Sequence, residues 1–268
     1  MARNDIPPGL VKWAYGEKWR EALDLVLDDH FLPVCDEFDL EEDRLHEILG
    51  EAASAALWTC AFEDFVTKVG EDGETTIIDD YLKRRGWKES ASVRRYLEAL
   101  KGSVMSLYEV GEVMPADSFL ARDLILGGEP VRVHDAGMSR VLRPGNTIAM
   151  RVLEVSGRNR MSAGALLFDD QAAAALREEI AVELDAMATA MRAAEAGAKP
   201  EELEALGASG LSTEDMLKTT FLIEAAPMFS FAWMEHFLDK VPDEERTRPA
   251  EAPEREQPRH PRGARDWE

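Results

Sequence analysis

The sequence predicts an α+β protein in which helical amino- and carboxy-terminal blocks flank a central, small, five-stranded antiparallel β-barrel of the SH3 or OB kind. Three observations carry that prediction. Apolar residues recur at helical spacing through residues 1–102 and 169–240. Between them, five short strand-like runs alternate with turn signals. The charge changes at nearly the same borders. Residues 1–100 hold 12 basic and 23 acidic side chains, a net of −11, and residues 101–168 hold 8 and 7, a net of +1. Residues 169–240 hold 5 and 15, a net of −10, and the remainder from Val241 holds 6 and 8, a net of −2.

In the first block, Glu17 to Phe31 places Trp19, Leu23, Val26 and Leu27 at helical spacing, and Pro33 is the expected stop. Asp39 followed by Glu42 has the spacing of a capping box, so a long helix is expected next. Its apolar face runs through Leu45, Ile48, Leu49, Ala52, Ala56, Thr59, Phe62 and Val66, and Gly70-Glu71-Asp72-Gly73 is a plausible end. Thr76 caps a short helix through Arg85, ended by Gly86. Ser90 caps another through Leu100, ended by Gly102.

The barrel segment, 103–168, reads as strands over Ser106–Met114, Ser118–Leu126, Pro130–His134, Thr147–Val155 and Arg160–Phe168. The turns between them are Pro115-Ala116-Asp117, Gly127-Gly128, Pro144-Gly145-Asn146 and Gly157-Arg158-Asn159. Closing so small a sheet removes its exposed edges.

Beyond it, Asp169 or Asp170 starts a helix to about Ala196, with an apolar seam at Leu176, Ile180, Leu184, Met187 and Met191. A loop around a short helical stretch is expected over Gly197–Gly210. Ser212 with Asp215 caps Met216–Ala225, and Pro227 opens a last helix. That helix, carrying Phe229, Phe231, Trp233, Met234, Phe237 and Leu238, is apolar almost all round, so it is expected to be buried or covered by a partner. The two acidic helical blocks are expected to pack together around the inserted barrel. Residues 241–268 contain five prolines and read as a disordered tail.

A net charge of −22 argues against coating nucleic acid or an anionic membrane with the whole surface. Two cysteines without a pairing framework, no apolar leader and no long apolar run predict a cytoplasmic protein with no membrane span. Phosphate-loop, dinucleotide, nucleophile-elbow and HExxH signatures do not occur, so an enzyme is the less favoured reading and no cofactor is expected.

Asp43 and His46, three apart on one helical face, are the metal candidates of the alternative reading, a metal-dependent hydrolase. Acids favouring a helix N-terminus are the plainer account of that stretch, with Glu63 and Asp64 only poor substitutes for a second ligand pair. Glu235-His236 is a weaker pair, explained as well by a satisfied histidine. Cys60 is expected to be a packed thiol, and Cys35 to lie in an accessible loop with no basic neighbour.

The central segment carries Arg122, Arg132, Arg140, Arg143, Arg151, Arg158 and Arg160. Arginine suits bidentate contacts to phosphate or carboxylate. Arg140 and Arg143 bracket the Pro144-Gly145 turn, Arg158 and Arg160 flank a hairpin tip, and Tyr108 and Phe119 are the candidate exposed aromatics beside them. The competing account pairs these arginines with acids of the same chain.

Tyr96-Leu97-Glu98-Ala99-Leu100, Ser106-Leu107-Tyr108-Glu109-Val110 and Phe119-Leu120-Ala121-Arg122-Asp123-Leu124 form an ordered set. They continue into Gly127-Gly128-Glu129-Pro130-Val131-Arg132-Val133 and Leu142-Arg143-Pro144-Gly145. Over about residues 75–168 this set resembles an uncharacterised bacterial family, some longer members of which carry a SEC-C zinc-binding segment. No cysteine follows Cys60, so the resemblance brings no zinc site, and it implies no activity. The functional expectation is a non-enzymatic recognition or adaptor protein. Its arginine-bearing barrel binds a protein partner or nucleic acid, with no membrane partner. The third reading is a structural protein that forms homo-oligomers through residues 227–240.

Overall fold

The computed structural model describes residues 6–70, 73, 75–197 and 212–246. The expectations for residues 198–211 and for the tail beyond Arg246 fall outside them. The amino-terminal helices are α1 (Pro8–Ala14), α2 (Arg20–Phe38), α3 (Glu42–Thr67), α4 (Ile77–Arg85) and α5 (Ala91–Lys101). The strands follow as β1 (Met105–Met114), β2 (Ser118–Asp123), β3 (Val131–His134), β4 (Thr147–Val155) and β5 (Arg158–Phe168). The helices α6 (Asp170–Gly197), α7 (Thr213–Glu224), α8 (Ala226–Leu238) and α9 (Asp243–Arg246) come last. No helix among the described residues is long and apolar enough to cross a membrane.

Local capping chemistry sets several of these ends. The Thr76 hydroxyl accepts from the Asp79 amide while the Asp79 carboxylate accepts from the Thr76 amide, a complete capping box. The Ser90 and Ser212 hydroxyls accept from Val93 and Asp215 in the same way. Two expected boundaries are overturned. Pro33 lies inside α2. The proline ring faces solvent, where water can satisfy the carbonyl it leaves unbonded, while Phe31, Val34 and Cys35 on the opposite face are buried and carry the helix onward. Asp39 therefore ends α2 rather than opening α3. It adopts φ 52°, ψ 49°, a left-handed cap that aspartate tolerates, and the cap of α3 is Glu41, with no side-chain bond. The helix α3 is itself interrupted at Gly50, whose φ of 75° only glycine adopts readily.

The five strands form a mixed sheet in the order β1-β2-β3-β5-β4, and β4 returns to pair with β1, closing the barrel. Four pairings are antiparallel, whereas β3 and β5 run parallel, touching at Val133 and Asn159. The expected all-antiparallel sheet is thus corrected. The reason is topological, because a ring with an odd number of strands cannot alternate direction all the way round. The interior is filled by Val110, Phe119, Val133, Ile148 and Met150, and Leu142 joins them from the turn before β4.

The two helical blocks and the barrel share one apolar core. Phe31 and Val34 of α2, Leu45 and Leu57 of α3 and Phe229, Met234 and Leu238 of α8 meet Leu107, Ala149 and Leu166 of the sheet. A second cluster gathers α1, α4 and α5 against Phe62 and Phe65 of α3 and Leu153 of β4. Burial among α2, α3, α6 and β5 accounts for the nearly all-apolar α8 within this chain.

Candidate functional site

The central arginines have different fates. Arg122 pairs with Glu109 across the β1–β2 ladder, and Arg132 lies 3.4 Å from Glu112. Arg151, on the outer face of β4, is covered by α3 and buried. Arg140, Arg143, Arg158 and Arg160 form no ion pair among the described residues; the first three are exposed and Arg160 is half-buried. The fold divides these four into two groups. Arg140 and Arg143 stand in the turn leading into β4, and Arg158 and Arg160 follow the hairpin at its other end. Nine residues of strand separate them, about 26 Å along the chain. The β3–β5 register places Arg158 and Arg160 beside Arg132 and His134 instead, on outward positions flanking the Val133–Asn159 pair. Tyr108 and Phe119 are corrected outright. Both are buried inside the barrel, at 8% and 0% exposure, and present no ring to a ligand.

A buried polar network lies where α3 meets the barrel. Glu63 and Asp64, adjacent on α3, are each 1% exposed. The Glu63 carboxylate accepts from the Ser162 hydroxyl at 2.7 Å and the Ala163 amide at 2.8 Å, with Tyr96 Oη at 3.4 Å. It thereby satisfies backbone and side-chain donors of β5 where its register with β4 shifts, between the Val152–Met161 and Met150–Ala165 pairs. Burial pushes its carboxyl up, against the lowering influence of Arg151 and these hydrogen bonds. The helix can come this close only because position 164 is glycine. A Cβ there would sit 3.0 Å from the Cα, N and Sγ of Cys60.

Asp64 meets charged partners instead. Its Oδ1 lies 3.3 Å from Arg151 Nη2, while Oδ2 lies 3.5 Å from His30 Nε2 and 3.6 Å from Lys68 Nζ. Burial alone would raise this carboxyl, but the nearby His30 ring and the Lys68 and Arg151 charges outweigh it and hold the group below the usual range. Arg151 also donates to the Ser103 carbonyl at 2.6 Å. His30 Nδ1 is 2.7 Å from Ser230 Oγ.

Serine, histidine and aspartate thus lie in the order of a nucleophilic triad, but His30 Nε2 and Asp64 Oδ2, 3.5 Å apart, form no hydrogen bond. All three are also buried, Ser230 and His30 at 0% exposure, so no substrate reaches the hydroxyl. The arrangement ties α2, α3, α8 and β4 together. Sequence reasoning missed it. Its visible signals were the adjacent acids in the apolar run Cys60-Ala61-Phe62-Glu63-Asp64-Phe65-Val66 and the glycine inside β5.

The remaining candidates resolve locally. Asp43 is exposed, and His46 lies 3.1 Å from Ser54 Oγ and packs on Phe31 at 5.4 Å between ring centroids. Among the described residues no group of three or more His, Cys, Asp or Glu is placed to hold a metal ion. His236 Nε2 lies 2.7 Å from Asp169, which Lys240 also reaches. Cys60 is buried as expected. Cys35 is not in an accessible loop but buried in α2, its thiol pushed up to about 11 by burial and by Glu42, Asp36 and Glu41.

No curated protein and no solved structure matches the chain. A family of unknown function, DUF7986, matches residues 59–196, from the second half of α3 through the barrel into α6. That span takes in Glu63, Asp64, Arg151 and every unpaired barrel arginine, and covers just over half the sequence; the chain belongs to this family.

Proposed function

We propose that this protein is a non-catalytic recognition protein that binds an acidic protein segment through the outer surface of its barrel, at Arg158, Arg160 and the neighbouring Arg132 and His134. One observation carries the reading. In a chain with 53 acidic and 31 basic side chains, internal partners are abundant, yet Arg140, Arg143, Arg158 and Arg160 take none among the described residues. Arg151, Arg122 and Arg132, by contrast, each meet an acid of the same chain. An unpaired guanidinium at a strand edge offers a bidentate contact to a carboxylate.

The strand order, with its parallel β3–β5 contact, supports an OB-type barrel, a class that presents ligands to its β2–β3 face. Single-stranded nucleic acid is the less favoured ligand. Tyr108 and Phe119 are interior, which removes the stacking rings named for that face.

The test titrates the full chain with a fluorescent glutamate-rich peptide and with an oligonucleotide of equal length. Peptide binding is expected, reduced about ten-fold in an Arg158→Ser/Arg160→Ser variant. Preferential oligonucleotide binding would move the reading to nucleic acid. Absence of binding by either, or a double variant that binds like the wild type, overturns it.

A further inference from the structure

The thirteen residues from Lys83 to Arg95 carry six basic side chains and one acid, in a chain whose net charge is −22. They form the end of α4, the single turn Gly86–Lys88 and the first five residues of α5. Of the six, Arg84 alone meets a carboxylate, Asp80 at 2.8 Å. Lys83, Arg85, Lys88, Arg94 and Arg95 form no ion pair among the described residues. The one acid, Glu89, is turned toward α4, where the Tyr81 hydroxyl donates to it. In the middle of this run Trp87 is 74% exposed, the most open large apolar side chain among the described residues. A lone exposed apolar side chain is ordinary, but tryptophan among arginines is what the centres of protein interfaces concentrate.

This run is continuous with the arginines of the barrel. Arg95 Nη1 donates to Ser156 Oγ at 3.2 Å at the tip of the β4–β5 hairpin, two residues before Arg158. Across that hairpin Arg158 is opposite Val155 and Arg160 is opposite Leu153. Leu153 and Val155 pack in the apolar cluster that holds Tyr96, Leu97 and Leu100 of α5. Cross-strand partners share a face, so Arg158 and Arg160 flank α5, while Glu154 alternates to the other side of the strand.

We propose that the acidic segment engaged at Arg158 continues onto α5, where Arg94 and Arg95 meet its further carboxylates, and that one aromatic side chain of the segment packs on Trp87. This rests on the barrel reading above and narrows the partner to an acidic segment with an aromatic anchor. Trp87 and Arg95 are at most about 18 Å apart along the backbone, a distance that about six extended residues cover. Single-stranded nucleic acid stacks successive bases on successive rings, and this run offers one ring, which suits a single anchor better.

The experiment uses the full chain and two labelled peptides of equal length and charge. One is made of glutamate and serine, and the other has phenylalanine at both ends, so that the anchor is available in either direction. Anisotropy titrations should show the phenylalanine peptide binding about five-fold more tightly, the size of one aromatic pair. Trp87→Ala should erase that difference and Trp87→Phe should keep part of it. Arg94→Ser/Arg95→Ser should weaken both peptides about ten-fold, as two partly screened contacts of about three-fold each. All three positions are exposed, so the circular dichroism of the variants should match the wild type. Equal affinity for the two peptides overturns this inference and leaves the barrel reading standing. So does wild-type affinity in the Arg94/Arg95 variant while Arg158→Ser/Arg160→Ser binds weakly. Binding of neither peptide removes both. A Trp87-dependent preference for an oligonucleotide, or self-association of the free chain that Trp87→Ala abolishes, overturns the inference by giving this surface another occupant.

Discussion

Replacing Asp64 with asparagine tests the junction of helix and barrel directly. Asp64 and Arg151 are 1% and 4% exposed and 3.3 Å apart. At an effective dielectric constant near 20 their gross attraction is about 5 kcal/mol, set against the cost of withdrawing both charges from water. Asp64→Asn leaves the guanidinium with the Ser103 carbonyl and a neutral amide, and should cost about 3–5 kcal/mol. Arg151→Met should cost less, about 2 kcal/mol, because Asp64 keeps His30 and Lys68. The double variant should then be at least about 2 kcal/mol more stable than the sum of the singles implies. Urea unfolding at neutral pH reads all three. The pH dependence adds an independent check. The folded state holds the Asp64 carboxyl below its unfolded value, so its contribution is complete above about pH 4 and is lost as pH falls further. The wild type should lose this increment on acidification and Asp64→Asn should not. Single-variant losses that add within about 0.5 kcal/mol would refute the coupling.

Glu63 has the opposite sign. Burial raises its carboxyl in the folded state, so its ionisation works against the fold as pH rises above the ordinary carboxylate range, and Glu63→Gln should flatten that fall in stability in paired urea titrations. Gly164→Ala forces a methyl onto the Cys60 backbone and should destabilise by about 1–3 kcal/mol, visible as a lowered Tm; an unchanged Tm would contradict the close approach. Thr76→Ala removes the capping box of α4 and should cost about 1 kcal/mol in the same assay, with Thr76→Ser restoring most of it. Neither cysteine should react with a thiol reagent at pH 8 in the native state, because both are buried and both thiols are shifted upward; rapid labelling of Cys35 would place it back in an accessible loop.

What the sequence disclosed was what local chemistry decides. The caps at Thr76, Ser90 and Ser212 and the strand Thr147–Val155 depend on neighbours within a few residues, and the structure has them as read. The strand expected over Ser118–Leu126 ends at Asp123, because the Asp123 carboxylate accepts the Ile125 and Leu126 amides and turns the chain there. Pro33 and Asp39 were misplaced because packing of α2 outweighed their breaking and capping tendencies. Alternation along β1 and β2 distinguished two faces but not which one closure turns inward, so Tyr108 and Phe119 were assigned to the wrong side. The Arg151–Asp64 contact spans 87 positions and follows only from the packing of α3 on β4 and β5. Charge segregation alone was consistent with an outside ligand for every arginine.

That contact changes the meaning of the near-neutral central segment. Its net charge of +1 reads as a surface property, yet Arg151 is neutralised inside the protein and Arg122 and Arg132 on the ladder beside them. Two adjacent acids of α3 divide the work of joining helix to barrel. Glu63 accepts from neutral donors of β5, and Asp64 meets the charge of β4. Both acids and these barrel partners lie within the matched span, residues 59–196, whereas His30 and Ser230 lie outside it. The junction is therefore internal to the family's segment, and α2 and α8 close over it from flanking sequence. Among the described residues of the central segment, positive charge without an internal partner is left at the two ends of β4. The two arginine pairs there can be tested separately, since the strand between them is too long for one short acidic segment to engage both at once.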